Sequence, residues 1–292
     1  MKELRVKIGQ IELQVRDSEL KREAIIFLHF SGANLMMWQR VLPYFQDRYR
    51  LILVDLRGHG KSDVPANGYH MDVMAEDVIA VMDQLCIEKA HILGSSLGAE
   101  VGLSLAANHP TRVLSIILDG ALSSEYGPYG LWEGTQEEFE QHVADQLQKI
   151  RNTPLVTFPT LAAFMENRQA MYEKYDWWNT FVADMERYGA RKLDDGSYTK
   201  GFSSNSNAAY MENYFHYRFE EYYPKVKCPI LMLANKELEG REKEVLLGLK
   251  ALVPQVEIAE INNWEHPYMW MLDPEEACLM IGSFLNQFTV TQ

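Results

Sequence analysis

Apolar residues along the chain come in short runs separated by stretches of helical spacing. Residues 4–8 and 11–16 alternate polar with apolar around Gly9-Gln10, which predicts an opening hairpin. AIIFLHF (24–30) and YRLILVDLRG (49–58) read as buried strands ending in polar or glycine-containing turns, and MMWQRVLPYFQDR between them carries helical spacing. The helical pattern MDVMAEDVIAVMDQLC (71–86) leads into KAHILGSSLG. AEVGLSLAANHP predicts a helix stopped at Asn108-His109-Pro110, and VLSIILDGA (113–121) is the next strand. This alternation predicts a mostly parallel sheet covered by helices.

After Ala121 the rhythm changes. Residues 122–226 contain helix-like segments, among them EEFEQHVADQLQKI and NAAYMENYFHYRFEEYY, with no convincing β alternation. The strand–helix order resumes with CPILMLANK (228–236), EKEVLLGLKALV, the short strand VEIAEI (256–261) and a final amphipathic helix reaching Phe284 and Phe288. One sheet is therefore expected in two parts, 1–121 and 227–292, with a helical insertion at 122–226. Of the 33 aromatic residues, 21 fall in that insertion.

Composition narrows the classes. With 41 acidic against 28 basic residues the formal net charge is −13, and no Lys/Arg block offers the positive surface a nucleic acid needs. Cys86, Cys228 and Cys278 are odd in number and set in apolar surroundings, so buried free thiols in a reducing compartment are expected. The charged N-terminus lacks a hydrophobic signal segment, and no apolar stretch approaches the ~20 residues that span a bilayer. A cytoplasmic protein without nucleic-acid or membrane partners is expected, as a monomer or homodimer.

The strongest chemical signal is Gly94-Ser95-Ser96-Leu97-Gly98, set between the strand HIL and the helix AEVGLSLAA. A serine at a tight strand-to-helix turn projects its hydroxyl above the sheet, and small flanking residues relieve the crowding. Ser96 is the candidate nucleophile. GHGKS in DLRGHGKSD (55–63) lacks phosphate-loop spacing, and neither GxGxxG nor HExxH is present, so the reading calls for no cofactor or metal.

Together with FLHFSGANLMMWQRVLPYF, DLRGHGKSD and WEHPYMWMLDPEE (264–276), this motif gives a chain that resembles α/β-hydrolases throughout its length. That large family includes carboxylesterases, lactonases, proline iminopeptidase-like enzymes and C–C bond hydrolases. The resemblance implies the α/β-hydrolase fold, with a Ser–acid–His set beneath a helical cap at 122–226. His266 matches the family's late catalytic histidine. The family's usual acid follows the strand PILMLANK, where this chain has Leu238; Glu237, Glu239 or Asp119 could supply the carboxylate instead, and Asp119 is preferred because some relatives place their acid after the strand it ends. The backbone N–H groups of Leu97 and Phe30 are the expected oxyanion donors, with Ser31 the alternative if the loop shifts. Phe30 stands where the family commonly has glycine. Trp38 reads as an anchor at the pocket floor.

Within the cap, Tyr175, Trp177, Trp178, Tyr210 and Tyr214 are candidate substrate contacts, although at least half of the cap aromatics should fill its own core. The expected reaction is hydrolysis of a carboxylic ester or lactone of a moderately large, partly apolar small molecule through an acyl-serine. Amide or C–C bond hydrolysis on the same scaffold, or ligand binding without catalysis, are the alternatives. The absent Asp at position 238 motivates the last of these.

Overall fold

The structure, a computed structural model, describes residues 1–253, 255–262 and 264–288, so the end of the 227–292 span lies outside the described residues. Ten strands and nine α-helices follow in chain order among these residues. The strands are β1 (Lys2–Ile8), β2 (Ile11–Asp17), β3 (Ala24–Leu28), β4 (Arg50–Val54), β5 (Ala90–Ser95), β6 (Val113–Asp119), β7 (Ala190–Lys192), β8 (Tyr198–Lys200), β9 (Ile230–Asn235) and β10 (Val256–Ile261). The helices are α1 (Met71–Gln84), α2 (Leu97–Asn108), α3 (Gln136–Arg151), α4 (Leu161–Glu173), α5 (Thr180–Gly189), α6 (Ser204–Tyr214), α7 (Gly240–Leu252), α8 (Met269–Leu272) and α9 (Glu275–Asn286).

Eight strands form one sheet in the order β1-β2-β4-β3-β5-β6-β9-β10. The β1–β2 hairpin and the β2–β4 pair are antiparallel, and the remaining neighbours are parallel. Central strands are apolar on both faces because both are covered. In β3, Ile26 and Leu28 join a core with α1 and α2, while Ile25 and Phe27 join one with Trp38, Trp270 and α9. That split is the two-residue period of a strand. Edge strand β10 (VEIAEI) buries only its end residues, Val256 and Ile261.

Helices α3 to α6 lie between β6 and β9 in the chain, where the sequence predicted helices. Phe139, Val143, Leu147 and Phe215 give this segment a small core of its own. Polar bonds tie it to the sheet domain: Tyr188 Oη donates to Asp55 at 2.9 Å, Asn34 Nδ2 to the Met185 carbonyl at 2.9 Å, and Tyr223 Oη to the Ala121 carbonyl at 2.7 Å.

Three local expectations need correction. The stretch MMWQRVLPYFQDR forms two short 3₁₀ turns, Leu35–Trp38 and Leu42–Tyr44, instead of one helix; Asn34 caps the first, and Pro43, which cannot donate a backbone bond, sits inside the second. The insertion also holds a small hairpin, β7–β8, whose turn passes through Gly196 at φ +86°. Asp195-Gly196 was its available signal. Finally, Cys86 is exposed, at φ +54° in the turn after α1, whereas Cys228 and Cys278 are buried free thiols as expected.

Candidate active site

Parallel register brings the chemistry together at the carboxyl ends of β5 and β6. Ser95 pairs directly with Asp119 across these strands, and the Ser96 N–H bonds to the Asp119 carbonyl at 2.6 Å. The next residue turns sharply: Ser96 has φ +49° and ψ −116°, and α2 begins at Leu97. This backbone is strained for any side-chain-bearing residue. It is held because nothing bulkier than glycine fits beside it. A Cβ on Gly94 would overlap the Gly98 backbone, and a Cβ on Gly98 would overlap the Leu28 carbonyl of β3. The spacing Gly-x-Ser-x-Gly thus encodes the close approach of strand, turn and helix. Ser96 is half-buried between the buried Ser95 and Leu97, so its hydroxyl is the group the turn presents.

The carboxylate of Asp119 is fully buried and receives three hydrogen bonds. His266 Nδ1 lies 2.6 Å from Oδ1, while Ser95 Oγ and Trp270 Nε1 each donate to Oδ2 at 2.6 Å. An ionised carboxylate accepts only, so the His266 proton sits on Nδ1 and Nε2 is left as the basic nitrogen. Burial pulls the His266 pKa down, but the Asp119 charge and hydrogen bond outweigh it and leave the group above its ordinary 6.5. The ring is 33% exposed and stacks on Trp264 with centroids 5.8 Å apart. Glu237 and Glu239 are exposed, and neither bonds to His266 among the described residues.

Ser96 and His266 line one cleft of about 240 Å³, with Glu100, Leu122, Tyr214, Phe219, Leu238, Glu242 and Trp264 among its walls. No hydrogen bond joins Ser96 Oγ to His266 among the described residues; such contacts often tighten only when substrate binds. The two expected oxyanion donors differ in how they are held. As the first residue of α2, Leu97 has its N–H outside the helical ladder. Phe30 is pinned by His29. The Leu56 N–H donates to His29 Nε2 at 3.0 Å, so Nδ1 carries the proton and donates to the Phe30 carbonyl at 2.8 Å. Burial lowers the His29 pKa to about 4, which keeps this bridge neutral. Asp55 accepts from the Leu35 and Lys61 N–H groups at 2.7 and 2.8 Å, and Arg57 makes a bidentate pair with Asp77, so both residues organise the turns around the site.

The structure divides the proposed substrate contacts. Tyr214 lines the cleft, and Tyr210 reaches it by donating to Glu100 at 2.8 Å. Tyr175, Trp177 and Trp178 do not line it. Tyr175 is 63% exposed and stacks on Trp177, which packs on Tyr268 and through it on Phe30; Trp178 stacks on Tyr172. They lie in the turn between α4 and α5 and back the loop that carries Phe30. Trp38 is likewise a core residue, packed between Phe27 and Trp270. Sequence reasoning passed over Glu100, Trp264 and the two side chains that position Asp119, Ser95 and Trp270. The only local signal was a charged residue in the apolar helix after the GSSLG turn.

An acidic side chain at the strand end, a histidine oriented by it and a serine on a strained turn above a parallel sheet define a hydrolase of the α/β class. The chain belongs to the α/β-hydrolase family: a sequence profile for the alpha/beta hydrolase fold matches residues 23–269. It is 34% identical over 286 residues to 2-(acetamidomethylene)succinate hydrolase from Mesorhizobium japonicum, covering 97% of this chain and 94% of that protein. A second similarity, 39% over 112 residues, is to 3-oxoadipate enol-lactonase 2 from Acinetobacter baylyi; it spans 38% of this chain and 42% of that protein. Among solved structures, E-2-(acetamidomethylene)succinate hydrolase superposes with a TM-score of 0.77 at 23% identity, covering 98% of this chain and 99% of that one. No helix among the described residues is long and apolar enough to cross a membrane.

Proposed function

We propose that the protein hydrolyses a carboxylic ester or lactone through an acyl-enzyme on Ser96, with His266 as general base and acid, Asp119 as the orienting acid and residues 122–226 as the cap over the reacting centre. The observation that carries this reading is the 2.6 Å bond from His266 to the buried Asp119, in a cleft shared with the strained Ser96. Ser96 Oγ attacks the substrate carbonyl as His266 Nε2 takes its proton, and Asp119 stabilises the imidazolium that forms. The N–H groups of Leu97 and Phe30 receive the negative oxygen of the tetrahedral intermediate. His266 then protonates the departing alcohol oxygen, which for a lactone stays tethered to the acyl group. Water, deprotonated by the same nitrogen, releases the acid and restores Ser96.

The binding-only alternative drew its force from Leu238; the bond between His266 and Asp119, which comes from another strand, supports the catalytic reading over it. Similarity to an enol-lactonase supports lactone chemistry, while the near-full-length similarity to a hydrolase whose named substrate carries an acetamido group favours amide hydrolysis as the second reading. At about 240 Å³ the cleft suits a smaller acyl group than the aromatic content of the cap suggested. A serine-reactive phosphonate should label the wild-type protein stoichiometrically and leave S96A unlabelled, and a panel of small esters and lactones should show turnover that S96A lacks. An unlabelled wild type with no turnover would falsify the reading.

A further inference from the structure

Glu100 lies one helical turn beyond Ser96, its N–H bonded to the Ser96 carbonyl at 3.1 Å, and it lines the same cleft. The residue is only 2% exposed. Its two oxygens are unequal: Oε1 accepts from Tyr210 Oη at 2.8 Å, while Oε2 is buried with no hydrogen-bond partner among the described residues. Leaving a buried polar atom without a partner is costly, so an unpartnered oxygen beside a cleft points to a ligand group that completes it. No Lys or Arg lines this cleft among the described residues; its ionisable walls are Glu100, Glu242, Tyr214 and His266.

We propose that Glu100 is a substrate-recognition residue whose Oε2–H donates a hydrogen bond to an uncharged oxygen of the bound substrate, and that the substrates are therefore neutral, oxygen-bearing esters or lactones and not carboxylate-bearing ones. The proposal rests on the hydrolytic reading above and deepens it. The proton balance supports it. Burial raises the Glu100 pKa to about 8; the Tyr210 hydrogen bond opposes this and the nearby Glu125 charge adds to it. Tyr214 and Tyr217, whose hydroxyls feel the Glu100 carboxyl, are both held neutral by burial. At neutral pH the group is thus a carboxylic acid. With Tyr210 donating to Oε1, its own proton sits on Oε2 and makes a donor. A carboxylate-bearing substrate would enter a cleft with no cation but His266, against Glu242 and the Asp119 charge behind the histidine. An ammonium would leave water for an acid that carries no charge at neutral pH.

The test uses p-nitrophenyl esters of matched acyl length: a hydrocarbon chain, chains with a keto oxygen at successive positions, and chains ending in carboxylate or ammonium. Wild type should favour the best keto ester over the hydrocarbon by about tenfold in kcat/KM, with the carboxylate ester slowest. E100L should bring the keto-to-hydrocarbon ratio to about one, chiefly through KM. E100Q keeps an acceptor for Tyr210 and an N–H donor for the substrate, and should restore the ratio to within about threefold of wild type. Equal losses on both esters in E100L, leaving the ratio intact, would mean a packing role and overturn the proposal. So would a wild-type preference for the ammonium ester that E100Q abolishes. If E100L does not fold, the wild-type ratio should still fade above about pH 8 while that of E100Q persists; parallel fading in both overturns it. Phosphonate labelling of the wild type separates the cases, since a protein that is never labelled fails as a hydrolase and not at Glu100.

Discussion

At Ser96 the backbone holds a conformation that glycine adopts freely and serine does not. Replacing the residue therefore separates chemistry from strain. S96A should lose at least about 10⁴-fold in kcat with stability near wild type, whereas S96G should be equally inactive yet about 1–2 kcal/mol more stable by urea unfolding. Equal stabilities would mean that the turn stores no strain. The acid is tested in the same way. D119N keeps the shape of the site but favours the wrong His266 tautomer, and kcat should fall about 10⁴-fold, while E237Q and E239Q stay within about twofold of wild type. In the proposed mechanism His266 is neutral when it accepts the serine proton. Because Asp119 raises its pKa above 6.5, kcat/KM should climb with pH through a midpoint above 6.5. The stabilisation from this pair has the opposite slope: it is complete below pH 6.5 and is lost as pH rises through the raised value.

At the level of elements, the close approach of β3, β5 and α2 depends on two glycines. Gly98 packs directly on the Leu28 carbonyl, and backbone cannot move aside as a flexible side chain can. G98A should therefore destabilise the fold by about 3 kcal/mol or more and lower activity by displacing Leu97 N–H, with a reduced urea midpoint as the measurement. These elements were legible in advance. Buried parallel strands announce themselves as apolar runs, and the Gly-x-Ser-x-Gly turn encodes its own packing. The short hairpin β7–β8 was less visible, since three-residue strands hold too few positions to display a period. The 3₁₀ turns at 35–44 misled in the opposite sense, because helical spacing of apolar residues also suits short turns that bury Leu35, Met37 and Trp38.

Across the whole molecule, Glu100 couples the pocket to stability. Its folded pKa of about 8 stands above the ordinary 4.5, so the folded state holds a proton that the unfolded chain releases between those values. Its contribution to stability is full below about pH 4.5 and declines as pH rises to about 8. The difference in unfolding free energy between wild type and E100Q should follow that slope across the window and level off above it. A difference independent of pH would place the Glu100 pKa near its ordinary value.

Much was decided locally. Strand order in the chain, the nucleophile turn and the late histidine are properties of short segments, and periodicity or spacing reveals them. The acid was not among these. Asp119, Glu237 and Glu239 were all plausible from spacing, and only the β5–β6 register, which sets Asp119 beside Ser95 and beneath Trp270 and His266, distinguishes them. The cap aromatics were ambiguous for the same reason. Whether a ring lines the cleft, as Tyr214 does, or packs behind the loop that carries Phe30, as Trp177 does through Tyr268, depends on contacts between residues far apart in the chain. Glu100 was passed over because a charge in an apolar helix says nothing of what surrounds it. Burial and the Tyr210 bond, made 110 residues away in sequence, turn that side chain into a neutral acid at the cleft wall.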